Sequence, residues 1–545
     1  MDVRDVNYVI IGAGMAGTVL HRFLGDDDVV VLDPSPGGYK IGESIIPEHF
    51  HHPVLRELVP RVKALPSYSE KWGSTFVGPR SVASFPLPPH GADVAMHVAR
   101  EELEPLMHEA WGTPIVRERV VDVVPDERTV VTTERRYRAR KLIIDCSGPA
   151  MVVARKTDGV EQLRPVWSRW GYLDITAVDD DAFWRHIADA GLDYVRYDTP
   201  KGRLLPGEEQ DGWRPSKTTI LTQLRDGVWT WQIPMYGETL LSVGVVSRHG
   251  PVTEEAWREA AIDRRAPQYT LAFRTSKGGA SAGGSWDKMH VRNGFATVAR
   301  TIATPDYVLL ADACGFADPI YSVGTGLAVN KAIELAALLN ERGWTDEVRR
   351  DWSTDYRSLL QRAVAGFETW YDGSMLVDDE AARVVQKEFL VGTAFQVGIA
   401  HRYSQQIVDA GPPASESDVG GRGRHVVDAD EAPLSDAVGG LLGVNVGDTL
   451  AGWRFDGAYR STGGLQHRWS HPGLPQLIVN TSFDPSETRY YRRAGDVSLS
   501  FMNLFESPYP LDATGVALFD TLEERIEARL DGWAALARSL AAATG

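Results

Sequence analysis

The hydrophobic pattern at the start of the chain consists of two short apolar runs that flank a glycine-rich turn and a stretch with helical spacing. The runs are residues 8–11 and 29–32, and the turn lies at residues 12–17. Apolar runs of four residues bounded by turns are typical of buried strands, and the spacing between them fits one helix. The pattern therefore predicts a strand, a turn, a helix and a second, parallel strand.

The turn in this unit reads Gly12-x-Gly14-x-x-Gly17, and the second strand ends at Asp33. In this arrangement Gly12 permits the tight turn, Gly14 lets the backbone approach a pyrophosphate, and Gly17 lets helix and strand pack closely. A carboxylate about twenty residues on is placed to bind ribose hydroxyls. The sequence predicts a clamp for FAD or NAD, to which we also assign Ala16. A glycine-rich turn that binds nothing is the alternative.

The pattern changes along the rest of the chain. Residues 166–246 alternate and are rich in Trp and Tyr, which predicts a largely antiparallel sheet on the substrate side. Further on, an apolar strand ending at Asp312 leads into a glycine-rich turn and a long helix. Beyond residue 375, short alternating runs and a final helical stretch predict a smaller α+β region.

These elements define an α/β fold class with a Rossmann-like domain, an antiparallel substrate sheet and an additional C-terminal α+β region. We place the core at residues 1–375, with the dinucleotide-binding part at about 1–165 and 290–375 and the substrate sheet at about 166–289. Residues 376–545 form the C-terminal domain. We expect it to cover the substrate site, an expectation that rests only on its position in the sequence.

Composition narrows the function classes. The 545 residues carry a formal net charge of −17, which argues against nucleic acid as a partner because phosphate binding needs a basic face. The N-terminus lacks the pattern of a secretory signal, and no segment offers about 18 uninterrupted apolar residues, so we expect a cytoplasmic protein without a membrane span. Cys146 and Cys314 each end an apolar stretch, which favours buried core positions over a disulfide or zinc site.

Several polar residues have both a functional and a structural interpretation. Lys71 lies in a strand-like run, where a lysine is most often solvated. Arg100 begins a helix and is suited either to a phosphate or ribityl contact or to a surface position. The histidines at 49, 51 and 52 have no second ligand cluster, so we expect a solvated helix start and no metal site. Arg489, Arg492 and Arg493 fit either the docking of an acidic carrier protein or a substrate carboxylate, or a solvated strand edge.

Motifs spread over the first 375 residues carry a family resemblance. The chain resembles the p-hydroxybenzoate hydroxylase-like FAD superfamily at GxGxxG, Asp33, Arg100 and the IIDCSGP stretch. Four further motifs resemble the flavin-dependent halogenases, in the branch that acts on phenolic, pyrrolic or carrier-bound substrates. They are GES-x-x-P at 42–47, KxGxxF at 71–76, WxWxIP at 229–234 and DP-x-x-S-x-G at 318–324.

The resemblance implies an enzyme that uses reduced FAD from a separate flavin reductase, together with O2 and chloride or bromide, to make hypohalous acid. That acid would reach the catalytic residue Lys71 and halogenate an electron-rich small-molecule or carrier-bound substrate in natural-product biosynthesis. Ser322, Val323 and Gly324 would line the halide site. The implied cofactor-binding residues are Gly12, Gly14, Ala16, Gly17, Asp33, Ile41, Ser44, Arg100, Asp312 and Gly324.

The chain departs from the family pattern near the proposed halide site. Tyr321 stands where the tryptophan-specific members have glutamate, Thr325 and Gly326 interrupt the usual continuation, and Ala311 replaces a glycine. These departures keep open a flavin monooxygenase or oxidase on the same scaffold that does not use halide. A flavin-binding carrier or sensor without turnover is a further alternative.

Overall fold

The computed structural model of the chain divides it into two compact units, residues 1–382 and 383–545. The residues that it describes are 2–46, 50, 53–78, 81–86, 95–196, 213–225, 227–261, 267–273, 287–320, 322–354, 356–357, 360, 432–461, 464–471, 474–482, 492–494, 497–503, 518, 521–522 and 524–542.

The first unit is built mainly from strands, most of them short. In chain order they are β1 Val3–Ile11, β2 Val29–Leu32, β3 Ser44–Ile45, β4 Ser69–Glu70, β5 Gly73–Val77, β6 Ser81–Pro86, β7 Met96–His97, β8 Ile115–Val116, β9 Val120–Val124, β10 Thr129–Thr132, β11 Arg136–Asp145, β12 Val160–Arg164, β13 Trp167–Val178, β14 Asp193–Arg196, β15 Thr218–Arg225, β16 Val228–Met235, β17 Leu240–Ser247, β18 Tyr269–Phe273, β19 His290–Asn293, β20 Ala296–Ala299, β21 Tyr307–Leu309 and β22 Gly315–Phe316. The helices are α1 Met15–Phe23, α2 Pro53–Arg56, α3 Val59–Lys63, α4 Arg100–Trp111, α5 Val152–Lys156, α6 Asp180–Asp189, α7 Glu254–Ala261 and α8 Val323–Glu341.

The first sheet contains the predicted dinucleotide-binding strands. Strands β8, β2, β1, β11 and β21 run parallel, and the hairpin strands β10 and β9 extend the sheet beyond β11. Ile11 pairs with both Leu32 and Asp145, and Asp145 pairs with Leu309, so four strands reach the same edge of the sheet. Ligands of open parallel sheets bind beyond this carboxyl edge. The strand before Asp312 ends earlier than predicted, at Leu309, because Ala311–Ala313 form a 3-10 turn.

The second sheet has nine strands in the order β14-β6-β5-β15-β16-β17-β13-β18, with β19 beside β13. All pairs are antiparallel except β14 with β6 and β5 with β15. Strands β16 and β17 are buried along their whole length, because α7 packs Trp257 on one face and the other face lines a cavity.

Two three-stranded sheets complete the first unit. Strands β12, β20 and β22 form one. In the other, β7 lies between β3 and β4, so that His97 pairs with Ser44 on one side and Ser69 on the other. This small sheet holds the GES motif next to the segment that contains Lys71.

Among its described residues the second unit has a six-stranded sheet, two longer helices, and further helical residues at 518, 521–522 and 524–527. The longer helices are α9 Ala432–Leu442 and α10 Leu530–Ala542, and the strands are β23 Thr449–Leu450, β24 Trp453–Ser461, β25 Gly464–His471, β26 Leu474–Ser482, β27 Arg492–Ala494 and β28 Val497–Asn503. The strand order is β23-β24-β25-β26-β28-β27, and Trp453, Phe455, Trp469 and Trp533 are fully buried in its core. The predicted α/β class with its C-terminal α+β region is confirmed.

None of the helices in the described part of the chain combines the length and apolarity that a bilayer span requires.

Candidate active site

A cavity of about 570 Å³ lies at the carboxyl edge of the parallel sheet in the first unit. The predicted site residues that line it are Gly12, Gly14, Ala16, Asp33, Ile41, Ser44, Arg100, Asp312, Ser322 and Gly324. Gly17 and Lys71 do not line it. These segments come from four distant parts of the sequence, and the parallel pairing of β1, β2, β11 and β21 brings most of them together.

The glycine fingerprint shapes one end of the cavity. Gly12 has φ +101°, and a Cβ atom there would overlap the carbonyl oxygen of Cys146. A Cβ at Gly17 would overlap the carbonyl oxygen of Gly12, so Gly17 serves packing beneath the turn. Gly14 precedes α1, whose N-terminus therefore opens onto the cavity and offers the free N–H groups that suit a phosphate.

Asp33 follows β2 and is almost fully buried. Its carboxylate accepts hydrogen bonds from the backbone N–H groups of Ala13, at 2.9 Å, and Ser35, at 2.8 Å. Each carboxylate oxygen accepts more than one hydrogen bond, so the group still has acceptor capacity toward the cavity. This geometry fits the predicted contact with ribose hydroxyls.

Two cations share one buried carboxylate on the cavity wall. Glu104 is fully buried in α4 and forms ion pairs with Arg100 and Lys40. Burial raises the pKa of Glu104, but the two cations outweigh that effect and hold the pKa below its usual value. Among the described residues, the buried Nε of Arg100 has no hydrogen-bond partner. The cluster of Arg100, Lys40 and Glu104 therefore carries one excess positive charge and a free donor, both of which suit a bound phosphate.

Asp312 lies in the 3-10 turn after β21. Burial raises the pKa of its carboxyl group, and the nearby Arg292 and Arg100 oppose that rise. Ala311, which precedes it, has φ +55°, in the left-handed region that favours glycine. This chain therefore places an alanine in a conformation that favours glycine.

Helix α8 begins beside the same cavity. Its N-cap is Ser322, at φ +57°, and Ser322 and Gly324 line the cavity. The loop before it is fixed by Asp318, which is buried, pairs with Arg164 at 2.5 Å and accepts the N–H of Ile320 at 3.0 Å. A helix N-terminus held in this way favours a bound anion because its first N–H groups are free and its dipole is positive.

Lys71 lies between β4 and β5, in neither strand, and its side chain is 1% exposed. The interpretation as a solvated strand lysine is therefore wrong. Its Nζ donates to Ser44 Oγ at 2.7 Å, and Ser322 Oγ donates to the same oxygen at 2.9 Å. Alternation along the strand could not predict this burial, because the hydrogen-bond partner Ser44 lies in β3, 27 positions away in the sequence.

Three tryptophans form one wall of the cavity. Trp229 and Trp231 project from the same face of β16 with ring centroids 6.1 Å apart, and Trp170 of β13 lies 6.4 Å from Trp231. The Trp231 ring lies against Gly244, where a Cβ would overlap it. The WxWxIP motif therefore contributes to the lining as well as to the sheet.

The cavity also has a polar cluster, formed around Tyr39, Tyr172 and Glu43, which the sequence analysis did not predict. Trp170 Nε1 donates to Tyr39 Oη at 2.6 Å, the hydroxyls of Tyr39 and Tyr172 lie 2.7 Å apart, and Tyr172 donates to Glu43 Oε1 at 2.6 Å. His290 stacks on Tyr39 at 4.4 Å. Burial raises the pKa of Glu43, and the hydrogen bond from Tyr172 partly opposes it. Glu43 belongs to the GES motif, which was the available signal; nothing in the local sequence pointed to the others.

Some predicted positions lie outside the described residues, namely His49, His51, His52, Tyr321 and Arg489. Arg492 and Arg493 begin β27 in the second unit. Cys146 and Cys314 are buried and not disulfide-bonded, as predicted. In the described part of the chain, no group of three or more His, Cys, Asp or Glu side chains lies together in a way that suits a metal ion.

The known proteins that this chain resembles include several halogenases. No protein-family model matches the chain. A curated relative, the 1H-pyrrole-2-carbonyl-(peptidyl-carrier protein) chlorinase of Pseudomonas fluorescens, is 22% identical over 420 residues, which are 68% of this chain and 83% of that protein.

Solved structures of low sequence identity share the architecture. Halogenase PltM has a TM-score of 0.56 at 16% identity, over 74% of this chain and 84% of that one. The flavin-dependent brominase Bmp2 has a TM-score of 0.50 at 16% identity, over 74% and 98%. The myxobacterial chondrochloren halogenase CndH has a TM-score of 0.50 at 18% identity, over 74% and 97%. Over 74% of its length, the chain therefore shares the fold of FAD-dependent halogenases of known structure.

Proposed function

We propose that the protein is a halogenase that uses reduced FAD, O2 and chloride or bromide to halogenate an electron-rich substrate. The observation that carries the proposal is the position of Lys71. A fully buried amine joined through Ser44 to the N-cap of a helix beside a dinucleotide-type cavity is costly to maintain, because a buried ammonium loses its hydration. A lysine with a purely structural role would do little to offset this desolvation cost.

The residues of the cavity fit FAD. The N-terminus of α1 and the free Nε of Arg100 would hold its phosphates, Asp33 its ribose, and Asp312 its ribityl chain. When bound as FADH2, the cofactor would supply the two electrons and two protons with which O2, a halide ion and one further proton give hypohalous acid and water. A separate flavin reductase would supply the reduced cofactor.

The halide site that we propose is the first turn of α8. The Ser322 hydroxyl and the backbone N–H groups of Val323 and Gly324 would hold the anion, since they combine donors with the positive end of the helix dipole. Ser322 also contacts Ser44, so the halide would lie one hydrogen-bonded side chain away from Lys71.

Lys71 would then act on the hypohalous acid. Its ammonium form donates a hydrogen bond to the oxidant, and its neutral amine takes up the halogen as a haloamine. Trp229 and Trp231 form an aromatic wall on that side of the cavity. A small oxidant would reach Lys71 past Ser44 while the organic substrate stays away from the cofactor.

The substrate class that we propose is an electron-rich phenol or pyrrole, free or bound to a carrier protein. The curated relative acts, by its name, on a pyrrole-2-carbonyl group held on a peptidyl-carrier protein. One structure of PltM was solved with phloroglucinol and FAD. Both compounds carry carbons that electrophilic halogen attacks readily.

The test is turnover with and without halide. The purified chain, a flavin reductase, FAD and a panel of phenols, pyrroles and carrier-bound acyl groups are incubated with chloride, with bromide or with neither. We expect products with a chlorine or bromine isotope pattern by mass spectrometry. Oxygenated product that forms equally without halide would establish the monooxygenase instead, and flavin oxidation with no change in any substrate would leave the carrier or sensor.

A further inference from the structure

Hydrogen bonds continue from Ser44 to a buried histidine. Ser44 Oγ lies 3.2 Å from Thr219 Oγ1, and Thr219 Oγ1 lies 2.8 Å from His97 Nε2. All four side chains of the path from Lys71 to His97 are buried, and His97 is completely so. We call the two hydroxyls, Ser44 and Thr219, the buried hydroxyl chain.

Backbone pairing fixes the members of this path. Ser44 and His97 are direct partners in the β3–β7 pair, and His97 is also the partner of Ser69, two residues before Lys71. Thr219 belongs to β15, where it pairs with Ser74 just after Lys71 along the chain. The path therefore rests on sheet register, which gives it a defined geometry.

The hydrogen bonds of the path have one consistent direction in one tautomer of His97. Ser44 Oγ accepts from Lys71 Nζ and from Ser322 Oγ, which uses both of its lone pairs. Its own proton is then donated to Thr219. In the tautomer whose Nε2 carries no proton, Thr219 donates to that nitrogen, and every donor on the path points away from Lys71 and toward a free base.

The charges at the two ends are coupled. Burial, and next the Lys71 ammonium, hold the pKa of His97 well below its ordinary value, against a smaller opposing effect from the backbone of Pro234. Once Lys71 loses its proton, the repulsion that disfavours protonated His97 is gone. A pair of this kind holds one proton easily and two with difficulty.

Other titratable groups near the path are occupied elsewhere. Glu43, next to Ser44, accepts the hydroxyl of Tyr172 at 2.6 Å. Glu70, next to Lys71, pairs with Lys217 and is half exposed. Lys71 is the charged side chain that acts on His97.

We propose that the buried hydroxyl chain carries a proton from Lys71 to His97, so that His97 is the base that frees the amine for halogen transfer. The proposal rests on the halogenase function and identifies a catalytic proton path within it. The Lys71 ammonium becomes a neutral amine as His97 becomes protonated, with one proton moved along each hydrogen bond.

The later steps balance with this transfer. The amine nitrogen attacks the halogen of hypohalous acid, the nitrogen–halogen bond forms as the oxygen–halogen bond breaks, and the departing hydroxide takes a proton from that nitrogen to leave as water. The electron-rich carbon of the substrate then takes the halogen, the nitrogen keeps the electron pair of the broken bond, and the ring proton returns to the nitrogen. The proton on His97 finally moves back to Lys71.

The test measures the reaction of Lys71 directly, without flavin turnover. The full-length protein is mixed with limiting hypochlorous acid, quenched, and digested, and chloramine on the Lys71 peptide is compared by mass spectrometry with that on the exposed Lys141. We expect Thr219→Val to slow chlorination of Lys71 about 100-fold at neutral pH. Thr219→Ser, which restores a hydroxyl, should recover the rate. At alkaline pH the Thr219→Val defect should shrink, because Lys71 then loses its proton without the path.

Thr222→Val is the matched control, because Thr222 is a buried threonine of the same strand outside the path. Wild-type rate and pH dependence in Thr219→Val would overturn the proposal, as would the absence of Lys71 chloramine in the wild-type protein. Neither result depends on whether the enzyme halogenates with FAD. Failure of the proton-path proposal in this experiment can therefore be distinguished from failure of the halogenase proposal in the halide assay. His97→Gln should match Thr219→Val if it folds, but the threonine variants decide the question alone.

Discussion

The Ser322 hydroxyl donates a hydrogen bond of 2.9 Å to the Ser44 hydroxyl and so joins the start of α8 to strand β3. Ser44 also receives the Lys71 ammonium at 2.7 Å. Three segments that are far apart in the sequence thereby meet at one oxygen atom. The proposed anion site and the proposed halogen acceptor are therefore coupled through a single side chain.

Replacing Lys71 with methionine should separate oxidant formation from halogen transfer. The methionine side chain would keep most of the apolar volume but would have no amine, so we expect halogenated product to fall by at least about 100-fold while flavin oxidation continues. Product by mass spectrometry and flavin absorbance are measured in the same reaction. Lys141→Met, at an exposed lysine paired with Asp26, is the control. Normal halogenation by Lys71→Met would contradict a role for the amine.

Replacing Arg100 with methionine should weaken FAD binding. The change removes a buried donor that has no partner among the described residues and lines the cavity, and hydrogen bonds to charged groups contribute about 1.5–3 kcal/mol. We expect a dissociation constant about 10- to 100-fold larger in a flavin fluorescence titration. Arg138→Met, at the exposed pair with Asp5, should bind FAD normally. Equal affinity in both variants would show that Arg100 does not contact the cofactor.

Replacing Ala311 with glycine should stabilise the protein. At φ +55° the Cβ of Ala311 costs about 1 kcal/mol, which glycine removes, although glycine also loses more backbone entropy on folding. We expect a small net gain in the free energy of unfolding, measured with urea. Ala313→Gly, in the same turn but without the left-handed conformation, should instead lose about 0.5–1 kcal/mol. Similar losses in both variants would rule out strain at Ala311.

The Glu43 carboxyl should make stability depend on pH in a definite direction. Burial raises its pKa in the folded protein, so the folded state keeps a proton that the unfolded chain has lost. The free energy of unfolding therefore falls as pH rises from the unfolded pKa, about 4.3, through the higher folded pKa. Glu43→Gln lacks this loss and still accepts a hydrogen bond from Tyr172.

We accordingly expect the stability of Glu43→Gln relative to wild type to increase with pH over that window, in urea unfolding at several pH values. Glu127→Gln, at an exposed position in a 3-10 turn, is the control and should track the wild type. A difference between Glu43→Gln and wild type that does not change with pH would mean that Glu43 ionises as easily in the folded protein as in the unfolded chain.

Local patterns in the sequence predicted the parts of the molecule that local rules determine. The glycine turn and the spacing to Asp33 correctly predicted that Gly12, Gly14 and Asp33 meet at one cavity, since all three belong to one β–α–β unit. The α/β class followed from the apolar runs. The strand that precedes Asp312 was predicted to end at Asp312, but it ends at Leu309. The apolar residues of the 3-10 turn that follows have the same hydrophobic pattern as a continuing strand.

The features that local patterns missed depend on pairing between distant segments. Lys71 is buried and donates to Ser44 of β3, 27 positions away, and no property of residues 69–77 indicates that contact. His97 and Thr219 are 122 positions apart and meet only through sheet register. Tyr39 and Tyr172 likewise share a hydrogen bond across 133 positions. A single sequence indicates such contacts only where a segment carries a family motif. The GES and KxGxxF motifs marked the segments that contain Ser44 and Lys71 in this way.

The Trp231 ring packs against Gly244, so the residue at position 244 affects the volume of the cavity. Gly244 does not line the cavity, yet only its missing side chain lets the indole rest on the backbone of β17. Any larger residue there would force the ring away from β17 and alter the space left for a guest. The space inside the cavity can therefore be tuned at a position that does not line it.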